Sequence, residues 1–271
     1  MCAPALRKHE VRVFDNADAL AGAAADVFLD AVCSALEQRG RFAVALSGGK
    51  TPKRTYTLLA EPARAGAVDW ERVFAFWGDE RCVPPTHSDS NYRMVAETLL
   101  MHVPIPEHNV HRIICELTPE EAARLYEADL RRFFVSEENV DSERGSPKTT
   151  FDLVLLGLGE DGHTASLFPG FDLKKVGERW VAAVEATQGR GPRVTLTPRV
   201  LNRAGLVVFI VEGKEKSTAV AEVLQGDGSD NNWPARWIQP KQGRVIWMLD
   251  KLAAQNLRYG RSGDRGEETA S

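Results

Sequence analysis

Four short segments of this chain concentrate the residues able to handle an anion or move a proton. Ser47-Gly48-Gly49-Lys50-Thr51-Pro52 places two glycines before a proline, so the backbone turns tightly with its N–H groups outward and a helix starts at the proline. That is a seat for a phosphate monoester. Gly49-Lys50-Thr51 is similar to the end of a nucleoside-triphosphate loop, but that motif needs a glycine where Val44 stands. Gly157-Leu158-Gly159-Glu160-Asp161-Gly162 satisfies the spacing of a dinucleotide turn, yet Glu160 and Asp161 put carboxylates where a pyrophosphate sits, and Pro169-Gly170 interrupts the following helix. Asp161 and His163 on this glycine turn instead bring a carboxylate and an imidazole together, the makings of a general base that titrates near neutral pH. Arg81, in Gly78-Asp79-Glu80-Arg81, and Lys214, in Gly213-Lys214-Glu215-Lys216, supply cations, the arginine as a two-pronged phosphate donor and the lysine as a point charge. Lys216 and the neighbouring glutamates read as a solvated first turn, and a salt bridge to Asp79 or Glu80 is the alternative use of Arg81. His102, His108 and His111 are broken up by Pro104 and Pro106, which gives no metal-ligand pattern.

Each of these segments follows a short apolar run: Phe42–Leu46, Val73–Trp77, Phe151–Leu156 and Leu206–Val211, with Val245–Leu249 as a fifth. Helical patterns lie between them. Asn16 caps an Ala-rich stretch that Gly40 ends, further helices are expected from Asp89 to about His102 and from Gly213 to Leu224, and one from Lys251 to Leu257. Thr118-Pro119-Glu120-Glu121 joins a capping box to a first-turn proline, so a helix runs from there to Phe134. Continuous apolar strands alternating with helices predict a mostly parallel, doubly wound open α/β sheet with helices on both faces. In such a sheet ligands bind beyond the carboxyl ends of the strands, so all four segments converge on one crevice. Ser136 to Thr150 reads as a solvated insertion in a single domain covering 1–271, Gly226 to Asn232 as a polar loop, and 258–271 as a flexible tail.

Composition narrows the function further. Of 271 residues 43% are hydrophobic, enough for one large core. Lys plus Arg number 34 against 38 Asp plus Glu, so no basic field is present to hold nucleic acid or an acidic membrane. No run reaches the length of a membrane helix, and charges occupy the first ten residues where a secretory signal keeps its apolar core. A cytoplasmic location is expected. Cys2, Cys33, Cys82 and Cys115 show no C-x-x-C pair and read as reduced thiols, Cys33 and Cys115 packing as small hydrophobes.

Together the motifs resemble the 6-phosphogluconolactonase family. The resemblance runs through S-G-G-x-T-P at Ser47–Pro52, W-G-D-E-R-x-V-P at Trp77–Pro84 with His87, Ser90, Asn91 and Tyr92, and G-L-G-x-D-G-H-T-A-S-L-F-P at Gly157–Pro169. It continues through T-L-T-P at Thr195–Pro198, G-x-x-K at Gly213–Lys216 and Trp233-Pro234-Ala235-Arg236. It implies hydrolysis of 6-phospho-D-glucono-1,5-lactone to 6-phosphogluconate, in the oxidative pentose phosphate pathway, without cofactor or metal. The site it implies has His163 as base and Asp161 as its orienting partner. Ser47, Gly48, Gly49, Lys50, Thr51, Asp79, Arg81, Asn91 and Lys214 would bind a small sugar phosphate. The related glucosamine-6-phosphate deaminases have an aromatic where Arg81 stands and H-I-A-F-N-E-P where this chain reads His163 to Pro169, so their glutamate is missing here. A sugar-phosphate sensor without turnover is the remaining alternative. Such sensors carry a helix-turn-helix domain, for which there is no room before the first apolar run.

Overall fold

The computed structural model describes residues 9–135, 140–141, 146–147, 150–187, 189–227 and 232–258. The chain enters through β1 (Glu10–Phe14) and α1 (Ala17–Arg39). Asn16 caps α1 by accepting from the N–H groups of Asp18 and Ala19, and Gly40 ends it in the left-handed region at φ 67°. There follow β2 (Phe42–Leu46), α2 (Lys50–Leu59), α3 (Pro62–Ala65), β3 (Val73–Trp77), β4 (Asp79–Arg81), α4 (Asn91–Thr98) and β5 (Val110–His111). Next are α5 (Pro119–Phe134), β6 (Val140–Asp141), β7 (Ser146–Pro147), β8 (Leu153–Leu156), α6 (Leu173–Val176), β9 (Val181–Val184) and β10 (Arg193–Leu196). The chain closes with α7 (Pro198–Leu201), β11 (Leu206–Val211), α8 (Ser217–Gln225) and β12 (Arg244–Asp250).

Seven strands form the central sheet in the order β1-β12-β11-β8-β2-β3-β5. Every pairing within it is parallel. From β2 the chain winds outward to β3 and β5, and from β8 it winds the other way to β11 and β12, so right-handed crossovers lay helices on opposite faces. The reversal falls between β2 and β8. Their carboxyl ends are where an open sheet leaves room for a ligand, and the Ser47 and Gly157 segments begin there. Central strands β2, β8 and β11 are buried almost throughout, which explains their lack of polar alternation.

Several expectations need correcting. Gly78 to Arg81 is not a simple loop: β4 leaves β3 at once and joins a second sheet, antiparallel, in the order β4-β10-β9. Three-residue pieces with one buried face carry too little period to be read from sequence. Strand β1 was likewise absent from the sequence reading, because Glu10 and Arg12 interrupt its apolar residues and pair with each other on an exposed edge. Lys251 to Leu257 is a run of turns, pinned by Asp250, whose Oδ1 accepts from the N–H of Ala253 at 2.7 Å. Helix α1 is in fact long and apolar enough by length and composition to cross a bilayer, but Leu20, Ala24, Phe28 and Val32 are buried in the core. Cys33 is exposed on α1, whereas Cys115 is buried as expected. Of the Ser136 to Thr150 insertion only the antiparallel pair β6 and β7, and Thr150, are described. The rest of that expectation, most of Gly226 to Asn232 and the tail from 259 lie outside the described residues.

Two buried tyrosines fasten the strand ends that carry the crevice. Tyr56 of α2 accepts from the N–H of Ser47 and donates to its carbonyl, both at 3.0 Å. Tyr126 of α5 does the same at Trp77, at 2.8 and 2.9 Å. Each hydroxyl closes a backbone donor and acceptor that the parallel ladder leaves open. Replacing Tyr56 with Phe strands both groups of Ser47 inside the protein. We expect Tyr56→Phe to destabilise by about 1–3 kcal/mol, read as a lower urea midpoint at unchanged slope.

Candidate active site

The four segments do meet. A cleft of about 330 Å³, at the small end of ligand pockets, is lined by Ser47 to Pro52, Asp79, Arg81, Asn91, Gly157 to Gly159, His163 to Ala165, Arg193, Ile210 to Glu212, Glu215 and Lys216. Its floor is the N-terminus of α2, where Gly49 sits at φ 110° and no side chain caps the helix. First-turn N–H groups therefore face the cleft without an intrahelical acceptor, at the loop where the sequence reading expects an anion. Ser47 Oγ is buried beside them and has no hydrogen-bond partner among the described residues.

Asp161 sits behind His163. Its Oδ1 is 2.5 Å from Nδ1 of the imidazole and also accepts from the His163 backbone N–H at 3.2 Å, while Oδ2 accepts from Arg190 at 2.9 Å. A carboxylate on Nδ1 fixes the tautomer that leaves the Nε2 lone pair free. Burial pushes the Asp161 carboxyl up, but bonding and charge from His163 and the Arg190 bond outweigh it and hold it at about 2. For His163 burial is the larger effect, and it keeps the imidazole below its ordinary value despite Asp161. The ring lies against Phe168, with centroids 4.7 Å apart, and Phe168 in turn carries the Arg190 guanidinium 4.3 Å above its ring.

Asp79 and Glu80 are structural anchors rather than partners of the Arg81 side chain. Buried Glu80 accepts from the N–H groups of Arg81, Asn91 and Tyr92 at 2.7 to 2.8 Å and from the Ser90 hydroxyl. Burial raises its pKa against those bonds. Asp79 accepts from Ser166 Oγ at 2.6 Å and from Asn91 Nδ2 at 3.3 Å. Asn91 thus lines the cleft while its amide donor is committed to Asp79. The Arg81 guanidinium donates to the Asp89 carbonyl at 2.5 Å, and its buried Nε has no partner among the described residues.

Lys214 does not reach the cleft; Lys216 does. The segment Lys214–Lys216 is a 3-10 turn, which steps side chains by a third of a circle, so Lys214 is exposed and Lys216 faces Glu160 at 4.0 Å. Arg193 was not singled out from the sequence. It lies directly opposite Arg81 in the antiparallel β4–β10 register, its Nε buried with no hydrogen-bond partner among the described residues and its Nη1 4.0 Å from Asp79 Oδ2. Only the pairing of strands more than a hundred positions apart brings the two guanidiniums together; the one local sign is a lone arginine at the head of Val194-Thr195-Leu196.

At the switch point of this open parallel sheet an uncapped helix, two opposed arginines and an aspartate-held imidazole share one cleft, the arrangement of a doubly wound α/β protein. Residues 15–247 match the family described as glucosamine-6-phosphate isomerases/6-phosphogluconolactonase. The chain belongs to that family. It is 42% identical to a 6-phosphogluconolactonase of Synechocystis over 84% of this chain and 89% of that protein. To one of Nostoc it is 38% identical over 92% and 99%. The solved 6-phosphogluconolactonase of Trypanosoma brucei superposes with a TM-score of 0.80 at 32% identity, covering 93% of this chain and 99% of that one. A monomeric glucosamine-6-phosphate deaminase, 17% identical with a TM-score of 0.73, shares the fold.

Gly159 is the position on which the pair's geometry turns. A Cβ there would overlap Nδ1 and Cε1 of His163 and Oδ1 of Asp161. Gly159→Ala should separate imidazole from carboxylate, so that the downfield Nδ1–H proton resonance of a carboxylate-bound histidine, expected in the unaltered protein, is lost while the fold persists by circular dichroism.

Proposed function

We propose that this protein hydrolyses 6-phospho-D-glucono-1,5-lactone to 6-phosphogluconate, with His163 as general base. The observation that carries the reading is the Asp161–His163 pair on the same cleft as the uncapped α2 terminus and the Arg81–Arg193 pair. The phosphate would sit on the α2 terminus and the Ser47 to Thr51 loop, with Arg81, Arg193 and Lys216 supplying charge. Held there, the lactone would present C1 to a water on Nε2. His163 takes the water's proton as oxygen attacks C1, the C1–ring-oxygen bond breaks, and the imidazolium returns its proton to the departing C5 oxygen. Asp161 orients the ring and stabilises the imidazolium. Base and charge both come from side chains, so no metal enters the proposal. A cytoplasmic location belongs to it too, in keeping with thiols at Cys33, Cys82 and Cys115.

Deaminase chemistry is disfavoured by what occupies its positions. Ser166 donates to Asp79, and Phe168 packs on His163, so the turn after the imidazole presents no carboxylate to the cleft.

His163→Ala should lower kcat by about 10²- to 10⁴-fold with KM within a few-fold, measured by acid release from freshly generated lactone. Retention of more than half the activity would end the base assignment. Because burial draws the imidazole below its ordinary pKa of about 6.5, the neutral base survives to lower pH. After correction for spontaneous hydrolysis, kcat/KM should hold through neutrality and fall only on the acid side of that value.

The cations separate recognition from chemistry. Arg81→Ala should cost about 2–4 kcal/mol in kcat/KM, with much of the loss in KM. Lys216→Ala should cost less, and Lys214→Ala should leave both constants unchanged. On a lactone without phosphate the variants should differ little from the unaltered enzyme; equal losses on both lactones would move the cations to the reacting carbonyl.

A further inference from the structure

Beside the cleft, and outside the machinery proposed for it, two thiols touch. Cys82 directly follows β4, and its N–H donates to the Pro192 carbonyl at 3.0 Å, so its backbone is tied to the second sheet. Cys115 lies between β5 and α5, buried, with its N–H on the Ile113 carbonyl at 3.0 Å. The two sulfurs are 3.8 Å apart across 33 positions of chain, with α4 in the intervening segment. We propose that Cys82 and Cys115 form a hydroperoxide-reactive dithiol site that closes to an intramolecular disulfide.

Geometry assigns the roles. A disulfide brings the sulfurs to about 2.05 Å, a closing movement of under about 2 Å from van der Waals contact. Cys82 is half-buried and reachable by a small oxidant; Cys115 is not. The hydrogen bond between the two sulfurs favours thiolate at Cys82, aided by Arg193 and opposed by burial, Glu80 and Glu120. The same bond, and burial, push the Cys115 thiol up. Cys82 is therefore the attacking sulfur and Cys115 the resolving one. The Cys82 thiolate attacks one peroxide oxygen, the O–O bond breaks, and hydroxide leaves, giving a sulfenic acid at Cys82. The Cys115 sulfur then displaces that hydroxyl. The S–S bond forms, the Cys115 proton and the hydroxyl leave as water, and the two thiols together have given two electrons to the peroxide. The bond would tie the second sheet to the segment before α5, two residues from Glu80.

The sequence makes the site easy to read by mass spectrometry, since trypsin releases Cys82 in residues 82–93 and Cys115 in residues 113–124. The full chain is treated with hydrogen peroxide under native conditions, alkylated, digested and mapped. The expected product is a cross-link between these two peptides that dithiothreitol reverses, with exposed Cys33 remaining alkylatable. Cys115→Ser should stop at a sulfenic acid on Cys82 that dimedone traps. Cys82→Ser should slow the loss of alkylatable Cys115 by at least about ten-fold. Sulfinic acid at Cys82 without a cross-link in the unaltered protein, or oxidation of Cys33 while both other thiols stay alkylatable, would overturn the proposal without bearing on lactone hydrolysis.

Discussion

The cleft depends on a carboxylate that never faces it. Glu80 is buried at the corner where β4 leaves the central sheet, and it collects three backbone N–H groups and a hydroxyl from two segments. Two of those N–H groups begin α4, so the side chain serves as an external cap for a helix whose own Ser90 caps only Arg93. With α4 fixed, Asn91 is pressed against Gly48, where any Cβ would collide with its amide. Asp79, next along the strand, takes the Ser166 hydroxyl and so fixes the turn carrying His163. Two adjacent carboxylates thereby set the distance between the α2 terminus and His163. Burying them is costly, and the cost is offset by the four donors on Glu80 and the two on Asp79.

Electrostatics around this corner is deliberately unbalanced. Opposed residues of like charge destabilise an antiparallel pair, yet Arg81 and Arg193 face each other at the rim with buried, unpartnered Nε atoms. Burial and the neighbouring guanidiniums of Arg81 and Arg190 lower the Arg193 pKa. Asp79, 4.0 Å from Arg193 and bonded to Ser166 and Asn91, opposes this only in part. An anionic group entering the cleft would relieve this repulsion, which favours the phosphate placement proposed above. Arg190 plays a different part: committed to Asp161 and stacked on Phe168, it belongs to the support of the imidazole.

Much of this was legible in residue order because it is local. Asn16 and Gly40 bound α1 by capping chemistry, Thr118-Pro119 starts α5, and the four segments follow apolar strands that only a covered parallel sheet tolerates. The Asp161–His163 contact spans two residues on a glycine turn, so spacing alone brings the groups within reach. The start of α2 is equally local, since a helix that begins after glycines presents its own N–H groups.

What the tertiary structure decided are the contacts between distant strands and the facing of short ones. The pairing of Arg193 with Arg81, the burial of Glu80 as a cap and the contact of Cys82 with Cys115 each join positions that no periodicity relates. The second sheet is built of pieces three or four residues long, below the length at which a pattern distinguishes strand from turn. Which lysine lines the cleft depended on how the Lys214–Lys216 turn sits after β11, an orientation that the letters Gly-Lys-Glu-Lys do not encode. Residue types and order therefore determined the fold class, the glycine-led start of α2 and the reach of Asp161 to His163; the partners that tune and hold them came from packing, where free energy is set by which surfaces meet.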